Sequence, residues 1–144
     1  PQEYEGIPQN QEVTFERMEA AQAVLPFTMR QPAKPAGYTF SHAGISQFVS
    51  GRYDQSVVLY FQADTGMEKI GITQTYVGTA GGFDVQMVNG LEDVQQLTVH
   101  GQEAVYIGEL RLLLWVDEGI AYTVPGEDLA SSLVFVDALY NKAD

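Results

Sequence analysis

Few residues in this sequence could carry acid–base or metal chemistry, and their spacing argues against both. The two histidines, His42 and His100, stand far apart, and no HxxxH, HxH or HExxH spacing that would predict a zinc site occurs. His100 precedes a glycine at a predicted turn, where a solvated histidine is more typical than a general base. No serine stands in a G-x-S-x-G context, and no cysteine is available as a nucleophile, a metal ligand or a disulfide partner.

Adjacent carboxylates are the remaining acid–base candidates, because many hydrolases use two of them. The pairs are Glu92-Asp93, Asp117-Glu118 and Glu127-Asp128. Each is predicted at a turn or at the start of a helix, where acidic residues are common for structural reasons. An envelope hydrolase that uses such a pair is therefore the least favoured hypothesis. We expect no catalytic activity, no metal and no cofactor.

The charge balance excludes whole classes of partner. Seven lysines and arginines against nineteen aspartates and glutamates give the 144-residue chain a net charge of −12 and a pI near 4.3. Such a chain repels phosphate, so we expect no nucleic-acid partner and no binding to anionic membranes. No apolar run approaches the roughly 18 residues of a membrane span. Because the chain begins with Pro1, we expect it to be a processed piece of a longer precursor.

The length and the residue pattern predict one domain over residues 13–144, preceded by a flexible tail or linker at residues 1–12. An amphipathic helix is predicted to begin after an N-cap at Thr14 and to end before Pro26. The apolar face of this helix consists of Phe15, Met18, Ala21 and Leu25. An extended, ordered connection is expected over residues 27–38, which hold two prolines and a glycine.

Alternating apolar and polar residues predict antiparallel strands in the middle of the chain. Hairpins are expected over residues 57–76, 97–107 and 110–124, and a flexible loop and a further strand at residues 78–82 and 84–88. The helical period returns after residue 126 and predicts a C-terminal helix, with Leu129, Leu133, Val136 and Tyr140 on one side. The predicted fold class is α+β, a single antiparallel sheet of about six to eight strands flanked by an N-terminal and a C-terminal helix.

Alternate residues of a strand point to opposite faces, so the strands can be sorted into two faces. The face expected to pack against the helices is aliphatic and consists of Val57, Leu59, Phe61, Ile70, Ile72, Leu97, Val99, Val105, Ile107, Leu110, Leu112, Leu114, Ile120 and Val124. The other face is mixed and consists of Val58, Tyr60, Lys69, Thr73, Thr75, Thr98, His100, Tyr106, Arg111, Leu113, Trp115 and Thr123.

The mixed face is the candidate binding surface. Tyrosine and tryptophan combine broad apolar area with a hydrogen-bonding tip, and for this reason they are frequent at binding surfaces. The candidate binding residues are Tyr60, Tyr106, Arg111, Leu113 and Trp115. A purely structural role stays the alternative, because threonine and aromatic residues also form solvated sheet faces that bind nothing.

The order of these elements resembles a domain family of unknown function in Gram-positive bacteria. Four stretches carry the resemblance: MEAAQAVLPFTMRQPAKPAGYTF, VVLYFQADTGMEKIGITQ, LTVHGQEAVYIGE and LLLWVDEGIAYTVPGEDLASSLVFVDAL. The residues that fit the family spacing include Pro32, Pro35, Gly37, Tyr38, Tyr60, Gly66 and Gln74. The likeness covers about residues 15–140. The family occurs in the extracytoplasmic part of anti-sigma-factor-like and sporulation-associated membrane proteins and lipoproteins, and it has no established catalytic residues.

The resemblance implies a non-catalytic sensory or protein-interaction domain of a membrane-tethered regulatory or envelope protein. We then expect the domain to lie outside the cytoplasm, to contact the membrane only through a tether that this chain lacks, and to be a monomer or a weak dimer with a protein partner. The alternative is a carrier or sensor that binds an apolar, lipid-like small molecule on the curved sheet. Its pocket would be lined by Tyr60, Tyr106, Leu113 and Trp115.

Overall fold

The computed structural model describes residues 10–78 and 90–141. In this part of the chain, one antiparallel sheet of eight strands is accompanied by a short N-terminal and a longer C-terminal helix, which confirms the predicted α+β class. The elements are β1 (Gln11–Phe15), α1 (Met18–Gln22), β2 (Tyr38–Gln47), β3 (Ser56–Ala63), β4 (Lys69–Tyr76), β5 (Val94–Val99), β6 (Gln102–Ile107), β7 (Leu112–Asp117), β8 (Ile120–Pro125) and α2 (Leu129–Tyr140).

The sheet consists of two meanders joined in its middle. The strand order is β1-β2-β3-β4-β8-β7-β6-β5, so β4 pairs with β8 rather than with β5. All neighbouring strands are antiparallel, and the three predicted hairpins are present. The tips of the β5–β6 and β7–β8 hairpins and the end of β4 therefore lie at the same end of the sheet.

One face of the sheet carries the main hydrophobic core. Val57, Leu59 and Ile72 are buried there, as the strand pattern predicted. Helix α1 contacts β1 and β2, and helix α2 contacts β7 and β8. The buried side of α2 includes Phe135 and Leu139, which join the same core.

The C-terminal helix begins at Leu129, close to the predicted start after residue 126, and the Glu127-Asp128 pair lies just before its first turn rather than in it. Asp128 is the N-cap, and its side chain accepts a hydrogen bond from the backbone N–H of Ser131 at 2.8 Å. A carboxylate in this position satisfies a backbone donor that the first helical turn leaves free, and the same bond lowers the pKa of Asp128. The Glu127-Asp128 pair therefore includes a helix cap.

The N-terminal region differs from its prediction. Residues 11–15 form strand β1, and the helix is only the short α1 with Arg17 at its N-cap, so Thr14 caps nothing. Val13 and Phe15 lie opposite Ile45 and Ala43 of β2, a strand that the sequence pattern had not revealed. The hydrogen-bonded pairing of β1 with β2 therefore outweighs the helical spacing of the apolar residues in this region. Residues 1–9, most of the predicted loop 78–82 and the predicted strand 84–88 lie outside the described residues.

The assignment of β6 and β7 to the two faces was wrong. In the observed register Tyr106 lies opposite Leu113, which lies opposite Val124, and Trp115 lies opposite Tyr122. Tyr106, Leu113 and Trp115 are therefore in the main core. Residues 112–116 are all apolar, so alternation alone could not show which of them face the helices.

A smaller apolar cluster lies on the opposite face. Val105 and Ile107 are buried there, against Leu91, Val94 and Leu114. Of these side chains, Val105, Ile107 and Leu114 were expected in the core under the helices. Their burial shows that the second face of β5, β6 and β7 also excludes water over part of its area.

The corrected register predicts unequal effects of two neighbouring leucines. Leu113→Ala should lower the free energy of unfolding by about 2–5 kcal/mol, because its side chain is fully buried and truncation leaves a cavity. Leu112→Ala should cost about 1 kcal/mol or less, because Leu112 is half-buried on the other face. Urea unfolding of both variants measures the difference. Equal losses, or a larger loss for Leu112, would contradict this register.

Candidate functional site

Polar and aromatic side chains converge at the end of the sheet where the two hairpin tips lie. We call this group the Arg30 cluster and define it as Arg30, Asp117, Glu118, Tyr122 and Tyr140. Strands β7 and β8 with their turn supply Asp117, Glu118 and Tyr122, and the last residue of α2 supplies Tyr140. Arg30 comes from the connection between α1 and β2, which crosses this end of the sheet.

Two side-chain amides hold that connection in place. Gln74 of β4 is fully buried, and it accepts a hydrogen bond from the Arg30 N–H at 2.9 Å and donates one to the Arg30 carbonyl at 2.8 Å. Gln22 of α1 similarly donates to the Phe27 carbonyl at 2.7 Å and accepts from the Met29 N–H at 2.8 Å. Because a backbone group without a partner is costly when buried, these bonds define the path of the connection.

The Arg30 guanidinium is directed into the cluster. Its Nε donates to the Tyr122 hydroxyl at 2.9 Å, and its central carbon lies 4.2 Å from the centre of the Tyr140 ring. Nη2 lies 3.5 Å from Asp117 Oδ2 and 3.5 Å from Glu118 Oε1. The cation is thus compensated by a carboxylate, a phenol and an aromatic face on its inner side.

Tyr140 connects the cluster to the core. Its hydroxyl donates to Asp117 Oδ2 at 2.7 Å and accepts from Trp115 Nε1 at 3.0 Å. Burial and the hydrogen bond to Asp117 both raise the pKa of Tyr140 above that of a free tyrosine. His100 stacks on the same ring with its centroid 3.8 Å away and an interplanar angle of 11°, so a hairpin tip also contacts α2.

At both hairpin tips, a long side chain stands at a position where the backbone has a positive φ. Glu118 and His100 have φ of 51° and 46° and are each followed by a glycine that also has a positive φ. A two-residue hairpin loop of this kind favours asparagine, aspartate or glycine in its first position, because other residues meet a steric cost of about 1–2 kcal/mol there. Glutamate and histidine are therefore unusual at these tips, and both contact the cluster.

An open cleft of about 530 Å³ lies beside the cluster. Phe27 and Tyr76 stack at its wall, with centroids 6.0 Å apart and an interplanar angle of 17°. Its lining consists of Pro26, Phe27, Thr28, Met29, Arg30, Tyr76, Glu118, Ile120 and Tyr122. Most of this lining is apolar or aromatic, and the charges come from Arg30 and Glu118.

The second candidate surface is the outer face, the side of the sheet opposite α1 and α2. We define it as the half-buried residues Val58, Tyr60, Thr73, Thr75, Leu112, Leu114, Val116, Ala121 and Thr123. One row of it runs across four strands, because Val58 pairs with Thr73, Thr73 with Thr123, and Thr123 with Leu114. None of these residues is charged.

Two of the five predicted binding residues remain accessible. Tyr60 lies on the outer face, stacks on His42 at 4.6 Å, and donates its hydroxyl hydrogen to Glu12 Oε2 at 3.2 Å. Burial and the neighbouring Glu12 charge raise the pKa of Tyr60. Arg111 is exposed in the turn between β6 and β7, where its φ is 56°. The two residues belong to different parts of the surface.

The other three predicted residues are buried on the helix side. Leu113 and Trp115 have no solvent exposure, and the Tyr106 hydroxyl donates to the Gly126 carbonyl at 2.7 Å. Tyr60 therefore lies on the opposite face from Tyr106, Leu113 and Trp115, and the four do not line one pocket. Trp115 does not line the cleft, but its ring stacks on that of Tyr122, a lining residue, with the centroids 4.9 Å apart.

Sequence reasoning missed Arg30, Gln74 and Tyr140 as parts of a site. The resemblance did single out Gln74, and Arg30 is one of only seven basic residues in the chain. The Asp117-Glu118 pair was correctly placed at a turn, but both carboxylates approach the same guanidinium nitrogen. In residues 10–78 and 90–141, no group of three or more acidic or histidine side chains is placed to hold a metal ion.

Comparisons with known proteins give no relative for this chain. No protein-family model, no curated protein sequence and no solved structure matches it. The described part of the chain also has no helix that is long and apolar enough to cross a membrane.

The cluster predicts a late step in the alkaline titration of the protein. Burial raises the pKa of Tyr122 to about 12, although the Arg30 charge opposes the shift, and the pKa of Tyr140 is raised as well. Since these phenols ionise more easily in the unfolded chain, near pH 10, their contribution to stability is complete below pH 10 and is lost as the pH rises toward 12.

Tyrosinate absorbance and circular dichroism, followed together from pH 9 upward, measure this step. The last tyrosines should ionise together with unfolding, and Tyr122→Phe should remove part of the late amplitude. A single titration centred near pH 10 in a fully folded protein would contradict the buried placement of both phenols.

Proposed function

We propose that this protein is a non-catalytic protein-interaction domain whose outer face binds a protein partner. The observation that carries the proposal is the uncharged character of the outer face over β3, β4, β8 and β7, together with the packing of both described helices on the opposite side. A sheet normally buries an apolar face against another layer, so an apolar and hydroxyl-bearing face that no element of residues 10–78 and 90–141 covers is typical of an interaction surface.

The arrangement of side chains on the outer face resembles a protein interface. Valine, leucine and tyrosine supply apolar area, and the paired Thr73 and Thr123 supply hydroxyl groups at its centre. Charged residues lie toward the margins, with Glu12 on β1 and Lys69 at the start of β4. An apolar centre with a charged rim is the usual anatomy of protein contacts.

The size of this surface also suits a protein. Four neighbouring strands spaced by about 4.8 Å give the outer face a width of roughly 15–20 Å, and about four residues along each strand give a similar length. A patch of this size offers roughly 200–400 Å² to a partner, well below the roughly 800 Å² of a standard specific interface, so the contact it predicts is weak and transient.

The cellular setting belongs to the same proposal. The resemblance over residues 15–140 supports a domain outside the cytoplasm, in a membrane-tethered bacterial regulatory or envelope protein. The excess of acids fits this setting, since a net charge of −12 keeps an exposed domain soluble. The partner would then be another envelope or regulatory protein.

The proposal predicts position-specific cross-linking. With a photoreactive phenylalanine analogue at Thr123, irradiation of the native host cells should yield one dominant adduct with another protein. The same analogue at Ala130, an exposed position on α2, should not. Adding Thr73→Arg beside the label should reduce the adduct by about tenfold, because a cation at the centre of the contact must be desolvated.

The folded state is the control for this experiment. Thr73→Arg should shift the melting temperature by only about 2 °C, as is usual for a surface substitution. Equal adducts from Thr123 and Ala130, or an adduct that does not respond to Thr73→Arg in a folded protein, would contradict the outer face as the contact surface.

A further inference from the structure

We propose that the cleft beside the Arg30 cluster is a second binding site, for a small organic cation that carries an ammonium group on an apolar body. This site is separate from the outer face, since Tyr76 and Tyr122 belong to the helix side and the end of the sheet. Its volume of about 530 Å³ lies in the range of small-molecule sites. The chemical class of the ligand follows from the charges and the rings in its walls.

The charge of the cleft favours a cation. The side chain of Glu118 is 80% exposed at the rim, whereas that of Arg30 is 29% exposed and turned toward Tyr122, Tyr140 and Asp117. Asp117 does not line the cleft but contacts Arg30 from behind. Arg30, Asp117 and Glu118 together carry a charge of −1, and the whole chain carries −12. An approaching anion would meet Glu118 first, while an ammonium group could pair with its carboxylate.

The walls favour an apolar body attached to that charge. Phe27 and Ile120 are buried side chains that border the cleft, and Tyr76 is an exposed aromatic ring at its mouth. An ammonium group near a tyrosine ring gains cation–π attraction, and an apolar substituent loses water against phenylalanine and isoleucine. A bare metal ion or a hydrophilic amine would use only one of these features.

The backbone at Glu118 is an independent observation for the same site. Its φ of 51° places a glutamate where a hairpin loop favours asparagine or glycine. A side chain kept against local backbone preference is expected where it has a functional role. At this tip the carboxylate approaches Arg30 Nη2 only at 3.5 Å, a long contact that leaves its other lone pairs for a ligand.

Three probes of similar size and different charge test the proposal: 2-phenylethylammonium, 2-phenylethanol and 3-phenylpropionate. Binding is followed at low ionic strength by the fluorescence of Trp115, the only tryptophan, which stacks on the lining residue Tyr122. Chemical shifts of the Ile120 methyl groups give a second readout. The cation should bind at least about threefold tighter than the alcohol, and the anion should bind weakest.

Two carboxylate-to-amide variants identify the charge responsible. Glu118→Gln should weaken the cation about threefold to fivefold and leave the alcohol unchanged, whereas Glu16→Gln, at an exposed position near α1, should change neither. Glu118→Asn should raise the melting temperature, because asparagine suits the turn, and should lose the preference for the cation as well.

A blocked Phe-Lys dipeptide distinguishes the source of the cation. If the dipeptide binds more tightly than 2-phenylethylammonium, the site is assigned to a lysine of a protein partner. If the dipeptide binds more weakly, the site is assigned to a free amine. Both results support the cation site. Equal binding of the three probes, binding of none of them, or a cation affinity unchanged in the folded Glu118→Gln variant would overturn the proposal. None of these results depends on cross-linking at the outer face.

Discussion

Gln74 binds both backbone groups of Arg30 from a position with no solvent exposure, and the arrangement at this end of the molecule depends on that pair of hydrogen bonds. A buried amide side chain needs partners for its donor and its acceptor, and a peptide unit that crosses the end of a sheet needs the same. The Gln74 amide and the backbone groups of Arg30 supply these partners to one another. The connection between α1 and β2 is therefore held against β4 without contributing a strand of its own.

This constraint places the Arg30 guanidinium between elements that are distant in sequence. It contacts Tyr122 on β8, Asp117 at the end of β7 and the Tyr140 ring at the end of α2. The Ala33 N–H also donates to the carbonyls of Ala138 and Asn141, so the connection is tied to the end of the helix a second time. The cleft exists because this connection forms one wall and the β7–β8 tip forms the other. Neither described helix covers the outer face, since α1 and α2 pack on the opposite side of the sheet.

Local patterns predicted much of this structure, and tertiary contacts account for the rest. The three hairpins and α2 follow from turn residues and periodicity, which act over a few positions. The faces of β6 and β7 could not be predicted, because an uninterrupted apolar run such as residues 112–116 contains no polar residues to indicate which face is exposed to solvent. Trp115 is the clearest case: its indole N–H is satisfied by Tyr140, 25 residues away, so a residue chosen for a binding surface lies in the core. The Arg30 cluster joins residues separated by up to 110 positions, from Arg30 to Tyr140, and no spacing rule reaches that far.

The most direct test of this account is amide hydrogen exchange at Arg30 in a Gln74→Met variant. Methionine preserves most of the volume and removes both hydrogen bonds, so the Arg30 N–H should lose its protection and the free energy of unfolding should fall by about 1–3 kcal/mol. Exchange in the part of the β5–β6 hairpin that is remote from its His100 tip, such as Val94 and Ile107, should follow only the global loss of stability. An Arg30 amide that stays as protected in the variant as in the native protein would contradict the claim that Gln74 holds this end of the structure together.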